Sequence, residues 1–216
     1  MMQAIRRWVA PAIPRGTKNA ITAICDQLEA FGYRWERQTP PPHGIKARTV
    51  IDRGRRHNLS VLVETGTCVG EMARKCSGHF KEIWTIELSE SLAKEAGKRL
   101  RKYRNVHVLQ GESCEQLPKV LRGINGPAVF WLDAHYSGGV TAKGLKECPL
   151  ESELQIIAEH ECHDHILLID DVRLMGAGDY PSLERISELA HRINPHYKVE
   201  VRDDILRCEP QKHYRD

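Results

Sequence analysis

Five acidic residues at the ends of four apolar runs are the side chains of this chain best placed to do chemistry. They are Glu64, Glu87, Asp133, Asp170 and Asp171. Short apolar runs predict strands of a sheet covered on both faces, and the carboxyl ends of parallel strands meet at one edge. Packing alone gives no reason to gather carboxylates there, because uncompensated like charges are costly. The pattern therefore favours a cationic ligand or a metal ion at that edge.

A loop with two glycines follows Glu64 and reads Thr65-Gly66-Thr67-Cys68-Val69-Gly70. The nucleoside-binding half of a doubly wound sheet has the same order of elements: a strand, a glycine loop, a helix, a second strand and an acid at its end. The glycines let the backbone approach a ligand, and Glu87 can accept hydrogen bonds from both hydroxyls of a ribose. The dinucleotide fingerprint G-x-G-x-x-G and the phosphate-loop sequence G-K-[ST] do not occur at this turn. Because a carboxylate at position 64 would repel a pyrophosphate, the loop predicts a nucleoside with positive charge near its 5′ end.

Each of these acids also has a purely structural interpretation. Glu64 could accept backbone N–H groups of its loop, and Glu87 could cap the next helix. The aspartates could be turn residues. Glu112 could stabilise a helix dipole or contact an adenine. Ser113, with Gln116 three residues later, matches a capping box, which favours a structural role for this serine. For the acids at 64 and 87 and for the aspartates, we favour ligand contact.

Alternating strands and helices must position these acids, and they predict an α/β fold with a doubly wound, mostly parallel sheet. The predicted strands are residues 60–63, 83–86, 106–109, 128–132 and 166–169, with helices over 71–77, 91–103, 114–121 and 149–160. A last helix after Pro181 and a hairpin of 197–202 and 205–209 follow. Residues 1–58 predict a helical N-terminal extension, with helices over 17–31 and from 45 to about 57, ahead of a domain over 59–216.

The composition excludes several classes of protein. The 216 residues carry a formal charge of +3, which is too small to indicate nucleic-acid or membrane binding by itself. The N-terminal apolar stretch is short and interrupted by Pro11 and Pro14, so we expect no signal peptide and a cytoplasmic location. Seven cysteines without a C-x-x-C pair indicate reduced thiols. The segment 160–165 holds three histidines and a cysteine, and a polar helix end is favoured there over a zinc site.

In this order, the motifs resemble those of the class I S-adenosylmethionine-dependent methyltransferases. The segment from Glu64 to Gly70 has the form E-x-G-x-x-x-G, which is similar to that of the metal-dependent O-methyltransferases typified by catechol O-methyltransferase. The resemblance covers about residues 45–209. It implies a Rossmann-like, mostly parallel seven-stranded sheet with an antiparallel last strand and helices on both faces.

The resemblance also implies a role for each matched residue. Glu64, Gly66, Thr67 and Gly70 would hold the methionine part of S-adenosylmethionine, and Glu87 would bind the ribose. Glu112 and Ser113 would lie near the adenine, and Asp133 would border the cofactor as well as the acceptor. Asp133, Asp170 and Asp171 match the positions that bind Mg²⁺ in that subfamily.

Two departures from the subfamily concern the metal site. Asp171 stands where asparagine is usual, which adds a negative charge. The lysine base of the subfamily is replaced by Tyr136, so His135 or Lys143 would take the proton from the acceptor. His135 could instead bind the metal, which would favour Mn²⁺. A glycine-rich insertion over 137–149 could be a substrate lid or a connection without a role.

The sequence thus predicts an S-adenosylmethionine-dependent enzyme that methylates the hydroxyl of a small molecule with the help of a divalent metal. An NAD-dependent oxidoreductase and a non-catalytic nucleoside-binding domain stay as alternatives. We expect no membrane or nucleic-acid partner, and the oligomeric state stays open, a homodimer included.

Overall fold

A computed structural model of the protein describes residues 40–133 and 148–211. The helices are α1 (His43–His57), α2 (Glu71–Cys76), α3 (Glu90–Leu100), α4 (Ser113–Leu121), α5 (Leu150–Ala158) and α6 (Leu183–Ile193). The strands are β1 (Val61–Thr65), β2 (Glu82–Glu87), β3 (Val106–Gln110), β4 (Val129–Leu132), β5 (Ile166–Ile169), β6 (Tyr197–Arg202) and β7 (Ile205–Pro210). A short 3-10 helix covers Val172–Leu174. The predicted helix over 17–31 lies outside the described residues.

The seven strands form one sheet in the order β3-β2-β1-β4-β5-β7-β6. Strands β1 to β5 are parallel, and β7 runs antiparallel between β5 and β6. The prediction of a mostly parallel seven-stranded sheet with an antiparallel last strand is therefore confirmed. The strand order reverses at β1, which pairs with both β2 and β4. Open α/β sheets bind ligands at the carboxyl ends of the strands beside such a switch point.

Two apolar cores cover the two faces of the sheet. Helices α4, α5 and α6 pack on one face, and α1, α2 and α3 pack on the other. Every residue of β4 and of β5 is buried, as expected of central strands covered on both sides. The described part of the chain contains no helix with the length and apolarity needed to cross a bilayer.

Helix α1 packs against the sheet and runs antiparallel to its parallel strands. Ala47 and Val50 are buried against β1, β4 and β5. At its C-terminal end, Arg53 Nε lies 2.5 Å from Glu209 Oε1, and His57 Nε2 lies 3.0 Å from Glu209 Oε2. Glu209 is at the amino edge of the parallel strands because β7 is antiparallel. The N-terminal end of α1 therefore reaches the carboxyl edge. The proposed boundary between an extension and a domain at residue 58 stays a prediction.

Two histidines at the amino edge of the sheet form a closed chain of hydrogen bonds. His165 Nδ1 accepts the backbone N–H of Ala128 at 3.1 Å, so its proton is on Nε2. This Nε2–H donates to His160 Nδ1 at 3.0 Å, and His160 Nε2–H donates to the carbonyl of Ile124 at 3.0 Å. Each ring nitrogen of the two histidines thus has a partner. The two histidines are therefore structural, which agrees with the interpretation favoured over zinc.

Acid is expected to destabilise the protein through His165. Burial, and then the charges of His160 and His163, lower the pKa of this imidazole from 6.5 to about 3. Between these two values the unfolded chain binds a proton that the folded chain does not bind. The free energy of unfolding should therefore fall as the pH decreases through this window, by up to about 1.4 kcal/mol per pH unit.

Urea denaturation between pH 7 and pH 4 measures this effect against His165→Asn. The asparagine oxygen can still accept the N–H of Ala128, but the side chain does not titrate. We expect a shallower loss of stability for His165→Asn than for the wild type. Equal slopes for the two proteins would assign the acid sensitivity to other groups.

Candidate active site

The loop between β1 and α2 is held in a tight curve by hydrogen bonds to the neighbouring strand. The backbone N–H groups of Gly66 and Thr67 donate to the carbonyl of Ile86 at 3.0 and 3.1 Å. Gly66 and Gly70 have φ values of 86° and 76°, in the left-handed region that favours glycine. A Cβ at Gly70 would also lie 2.7 Å from Leu100 Cδ1. Backbone geometry therefore requires both predicted glycines, and close packing also requires the one at position 70.

Glu64 lies beneath this loop and is 1% exposed. Its Oε2 accepts the hydroxyl of Thr85 at 2.6 Å, and Thr85 Oγ1 lies 2.6 Å from Thr67 Oγ1. Burial raises the pKa of Glu64 to about 8, and Asp133 and Glu87 add to the shift while Thr85 opposes it. Without a cationic partner this carboxyl is therefore largely protonated near neutral pH. A bound cation would stabilise its ionised form.

Glu87, at the end of β2, uses both carboxylate oxygens to order the surrounding loops. Its Oε2 accepts the backbone N–H of Cys68 at 2.7 Å, and its Oε1 accepts that of Ser89 at 2.9 Å. Ser89 caps α3 by accepting the N–H of Leu92. A carboxylate has about four acceptor sites, so each oxygen of Glu87 can take a further hydrogen bond. The structural and ligand-binding interpretations of Glu87 are therefore compatible.

The capping box predicted for Ser113 and Gln116 is wrong. Glu112 is the N-cap residue, Ser113 is the first residue of α4, and Gln116 Nε2 donates to the carbonyl of Gln110 at 3.2 Å. The helix begins one residue earlier than the motif requires, so Ser113 is already its first residue and not its N-cap residue. The buried Ser113 hydroxyl instead hydrogen-bonds to Glu153, a residue of α5.

Three aspartates converge after β4 and β5. One oxygen from each of Asp133, Asp170 and Asp171 lies within 4.8 Å of the others. The backbone N–H of Asp133 bonds to Thr65 of β1, and that of Asp170 bonds to Leu132 of β4, so the parallel ladder sets their register. We call these three residues the aspartate centre. Burial, and then Asp133, raise the pKa of Asp170 to about 7.

Two cations of the chain contact the aspartate centre. Lys46 Nζ, from α1, forms a buried ion pair with Asp170 and lies 3.7 Å from Asp171 Oδ1. Arg173 Nη1 donates to Asp171 Oδ1 at 2.6 Å and also binds Asp204 in the turn between β6 and β7. Although burial alone lowers the pKa of Lys46, Asp170 and the other two aspartates raise it above its ordinary value. Lys46 is therefore a permanent cation in this site.

Sequence reasoning missed Lys46 and Glu153. Glu153 is 1% exposed, and within the described residues its Oε1 has no hydrogen-bond partner. Burial raises its pKa to about 7, with Ser113 and Thr65 opposing the shift and Asp133 adding to it. A helical period does signal this position, because Leu150, Glu153, Leu154 and Ile157 share one face of α5. A glutamate on that apolar face indicates a buried carboxyl.

The predicted bases His135 and Lys143, together with Tyr136 and most of the 137–149 insertion, lie outside the described residues. Tyr180, in the connection before α6, is a further ionisable group near the centre. Burial raises the pKa of its phenol above the ordinary range, and the charges of Cys148, Asp171 and Asp133 contribute. The structure therefore brings the predicted acids to one edge of the sheet and adds Lys46, Glu153 and Tyr180 to them.

Comparison with solved structures identifies the fold. An O-methyltransferase from Bacillus cereus in complex with S-adenosylhomocysteine (SAH) matches 97% of this chain and 100% of its own, with a TM-score of 0.58 and 13% identity. A methyltransferase of Podospora anserina with SAH bound covers 94% and 100%, with a TM-score of 0.56 and 15% identity. The O-methyltransferase TomG from Streptomyces achromogenes, in complex with S-adenosylmethionine (SAM), covers 86% and 89%, with a TM-score of 0.54 and 14% identity.

The chain has the fold of the class I SAM-dependent methyltransferases. Several of the solved structures that it resembles are O-methyltransferases. No protein-family model matches the sequence. A search of curated proteins also found no match. At the identities of 13 to 15% found among these neighbours, the likeness concerns the fold, and the chemistry has to be argued from the residues of this site.

Proposed function

We propose that the protein transfers the methyl group of SAM to a hydroxyl oxygen of a small molecule. The observation that carries this proposal is the position of Glu64. A fully buried carboxyl lies under a glycine loop, at the switch point of a class I methyltransferase sheet. Such a carboxyl suits a cationic nucleoside and is unsuited to the pyrophosphate of NAD. The oxidoreductase alternative is correspondingly disfavoured.

Different residues of the described site would bind different parts of the methyl donor. Glu64 would bind the positively charged methionine part, and the remaining acceptor sites of Glu87 would bind the two ribose hydroxyls. Glu112 and Ser113 would border the adenine. The loop around Gly66 and Gly70 lets the backbone lie against the ligand, because these positions carry no side chain.

The reaction is an in-line displacement at the methyl carbon of the sulfonium. A bond forms between the acceptor oxygen and the methyl carbon, and the carbon–sulfur bond breaks with its electron pair on sulfur. The products are the methylated acceptor and SAH. The hydroxyl proton would pass to His135 or Lys143, and Asp133 would lie beside the acceptor oxygen. Alignment of the two reactants supplies much of the rate.

The sequence predicts Mg²⁺, or alternatively Mn²⁺, at the aspartate centre. Its three carboxylates are the oxygen ligands that a hard divalent ion prefers. However, Lys46 contacts Asp170 and lies 3.7 Å from Asp171, so the ammonium and a divalent ion would compete for the same oxygens. With Lys46 in this position a divalent ion does not fit the centre.

The cytoplasmic location of the protein stays a prediction.

A binding experiment tests the proposed function without knowledge of the acceptor. Thermal unfolding is measured with SAH, with NAD and with Mg²⁺, alone and in combination. We expect SAH to stabilise the protein, by about 2.7 kcal/mol at 100 times its Kd, and NAD to have no effect. Transfer of labelled methyl from SAM to a panel of small hydroxyl compounds then identifies the acceptor. Stabilisation by NAD alone, or by neither nucleoside, would contradict the proposal.

A further inference from the structure

Lys46 occupies a position that packing alone does not explain. Its side chain is 10% exposed, and the side chains of Asp170 and Asp171 are 0% and 7% exposed. Bringing a lysine and several carboxylates out of water costs free energy that their attraction often fails to recover. A buried lysine among acids at the ligand-binding edge therefore indicates a functional use of the charge.

The fold holds Lys46 firmly in this place. Helix α1 is fixed at its far end by the contacts of Arg53 and His57 with Glu209, and along its length by Ala47 and Val50 in the core. Lys46 is seven residues before Arg53, about two helical turns away on the same face. The two ends of one helix face thus reach opposite edges of the sheet. Helix α1 therefore holds the ammonium of Lys46 at the aspartate centre.

Two cations of the chain itself offset part of the negative charge of the centre. Arg173 binds Asp171, and Lys46 binds Asp170. Lys46 is also close enough to Asp133 for a favourable electrostatic interaction. A second positive charge at the same oxygens, from a divalent ion, would be repelled by both of these cations.

We propose that Lys46 is the resident cation of the aspartate centre and does there what a divalent metal would do. Its ammonium offsets part of the charge of the aspartates and donates a hydrogen bond to the oxygen of the acceptor, which it orients toward the methyl group. An ammonium has three N–H donors, and among the described residues the bond to Asp170 accounts for one. Lys46 stays protonated throughout, so it is an electrostatic and positioning group. The acceptor contact rests on the proposed methyltransferase function, whereas the exclusion of metal does not.

Mn²⁺ binding, followed by electron paramagnetic resonance, tests this role in the wild type and in three variants. Lys46→Met removes the charge but keeps an unbranched apolar side chain of similar length. Lys46→Met/Asp170→Asn also removes one carboxylate of the centre. Arg48→Met removes a charge from the same helix at an exposed side chain, 65% accessible, whose ion-pair partner is Asp52. The wild type and Arg48→Met should bind Mn²⁺ no better than millimolar.

Lys46→Met should gain a Mn²⁺ site, with affinity at least tenfold above that of the wild type, and the Asp170→Asn change should remove it. Mn²⁺ should also raise the melting temperature of Lys46→Met and leave that of the wild type unchanged. A wild-type site of micromolar affinity that is absent from Lys46→Met/Asp170→Asn would overturn the proposal. So would a folded Lys46→Met that gains no Mn²⁺. If Lys46→Met does not fold, the wild-type titration alone decides between the two outcomes.

Chelation and SAH binding separate this proposal from the broader one. Excess EDTA should leave the wild-type methyl transfer unchanged, whereas Lys46→Met should lower it by about 100-fold with little change in SAH affinity. A loss of wild-type turnover in EDTA would contradict the role of Lys46 while leaving the methyltransferase assignment intact. Failure of the wild type to bind SAH would contradict the methyltransferase assignment. The competition between lysine and metal would still be tested by Mn²⁺ alone.

Discussion

Glu64→Gln is expected to bind SAM about 10- to 100-fold more weakly than the wild type at pH 8. The glutamine keeps the size of the side chain but loses the charge that would face the cationic part of the donor. Hydrogen bonds to charged groups contribute about 1.5 to 3 kcal/mol, and about 1.4 kcal/mol corresponds to a tenfold change in affinity. Isothermal titration calorimetry measures the loss. SAH lacks the sulfonium charge, so a smaller loss for SAH than for SAM would place Glu64 beside the sulfur.

The affinity of the wild type for SAM should also depend on pH. The pKa of Glu64 is raised to about 8 in the free protein, so a cation must displace the proton in order to bind the ionised form. Below pH 8 the affinity should decrease up to about tenfold for each pH unit, and above pH 8 it should become constant. Titrations in buffers with different ionisation enthalpies should show a proton released on binding.

The free protein should respond to pH in the opposite sense. A folded-state pKa raised from 4.5 to about 8 stabilises the fold at low pH, and this contribution is lost as the pH rises through that window. Glu64→Gln should therefore be more stable than the wild type at pH 8 although it binds SAM more weakly. Glu95→Gln, at an exposed position of α3, is the matched control and should change neither quantity. Equal SAM affinities for Glu64→Gln and the wild type would remove Glu64 from the cofactor site.

Gly70→Ala is expected to destabilise the protein by about 2 to 5 kcal/mol. An L-residue in the left-handed region costs about 1 to 2 kcal/mol, and the new methyl would lie 2.7 Å from Leu100 Cδ1 in the core. Overpacking of this kind adds about 1 to 3 kcal/mol. Urea denaturation measures the change, and SAH binding should weaken in parallel because Gly70 ends the glycine loop and is the N-cap residue of α2.

Two other glycines provide controls for Gly70→Ala. A Cβ at Gly78 or at Gly97 would have no neighbouring atom within 4 Å. Gly78→Ala should leave the free energy of unfolding nearly unchanged. Gly97→Ala lies inside α3 and should increase it by about 0.5 to 1 kcal/mol, because glycine is the poorer helix former. Similar free energies of unfolding for Gly70→Ala and Gly78→Ala would contradict this prediction, because they would mean that the backbone and Leu100 accommodate the new methyl group without cost.

Local patterns were enough to predict much of the architecture. Apolar runs of four to six residues bounded by polar ones predict buried strands from local sequence alone, and β4 and β5 follow this rule. The curve after Glu64 could be predicted because only glycine adopts φ values near 80° without cost, as at Gly66 and Gly70. Local patterns place the end of a helix only to within a residue or two, as at Ser113, whose helix begins one residue earlier than a capping box requires.

The sequence by itself determined that strands, glycine turns and terminal acids alternate, since these depend on residues next to each other in the chain. Only the tertiary structure decided what lies among the acids. Lys46 and Asp170 are 124 residues apart, and Glu153 approaches Thr65 from 88 residues away. Such contacts depend on how α1 and α5 pack on the sheet. No local pattern predicts them, because the two side chains of each pair are distant in the sequence. The acidic edge is thus a property of local sequence, and the contact of Lys46 with it is a property of the fold.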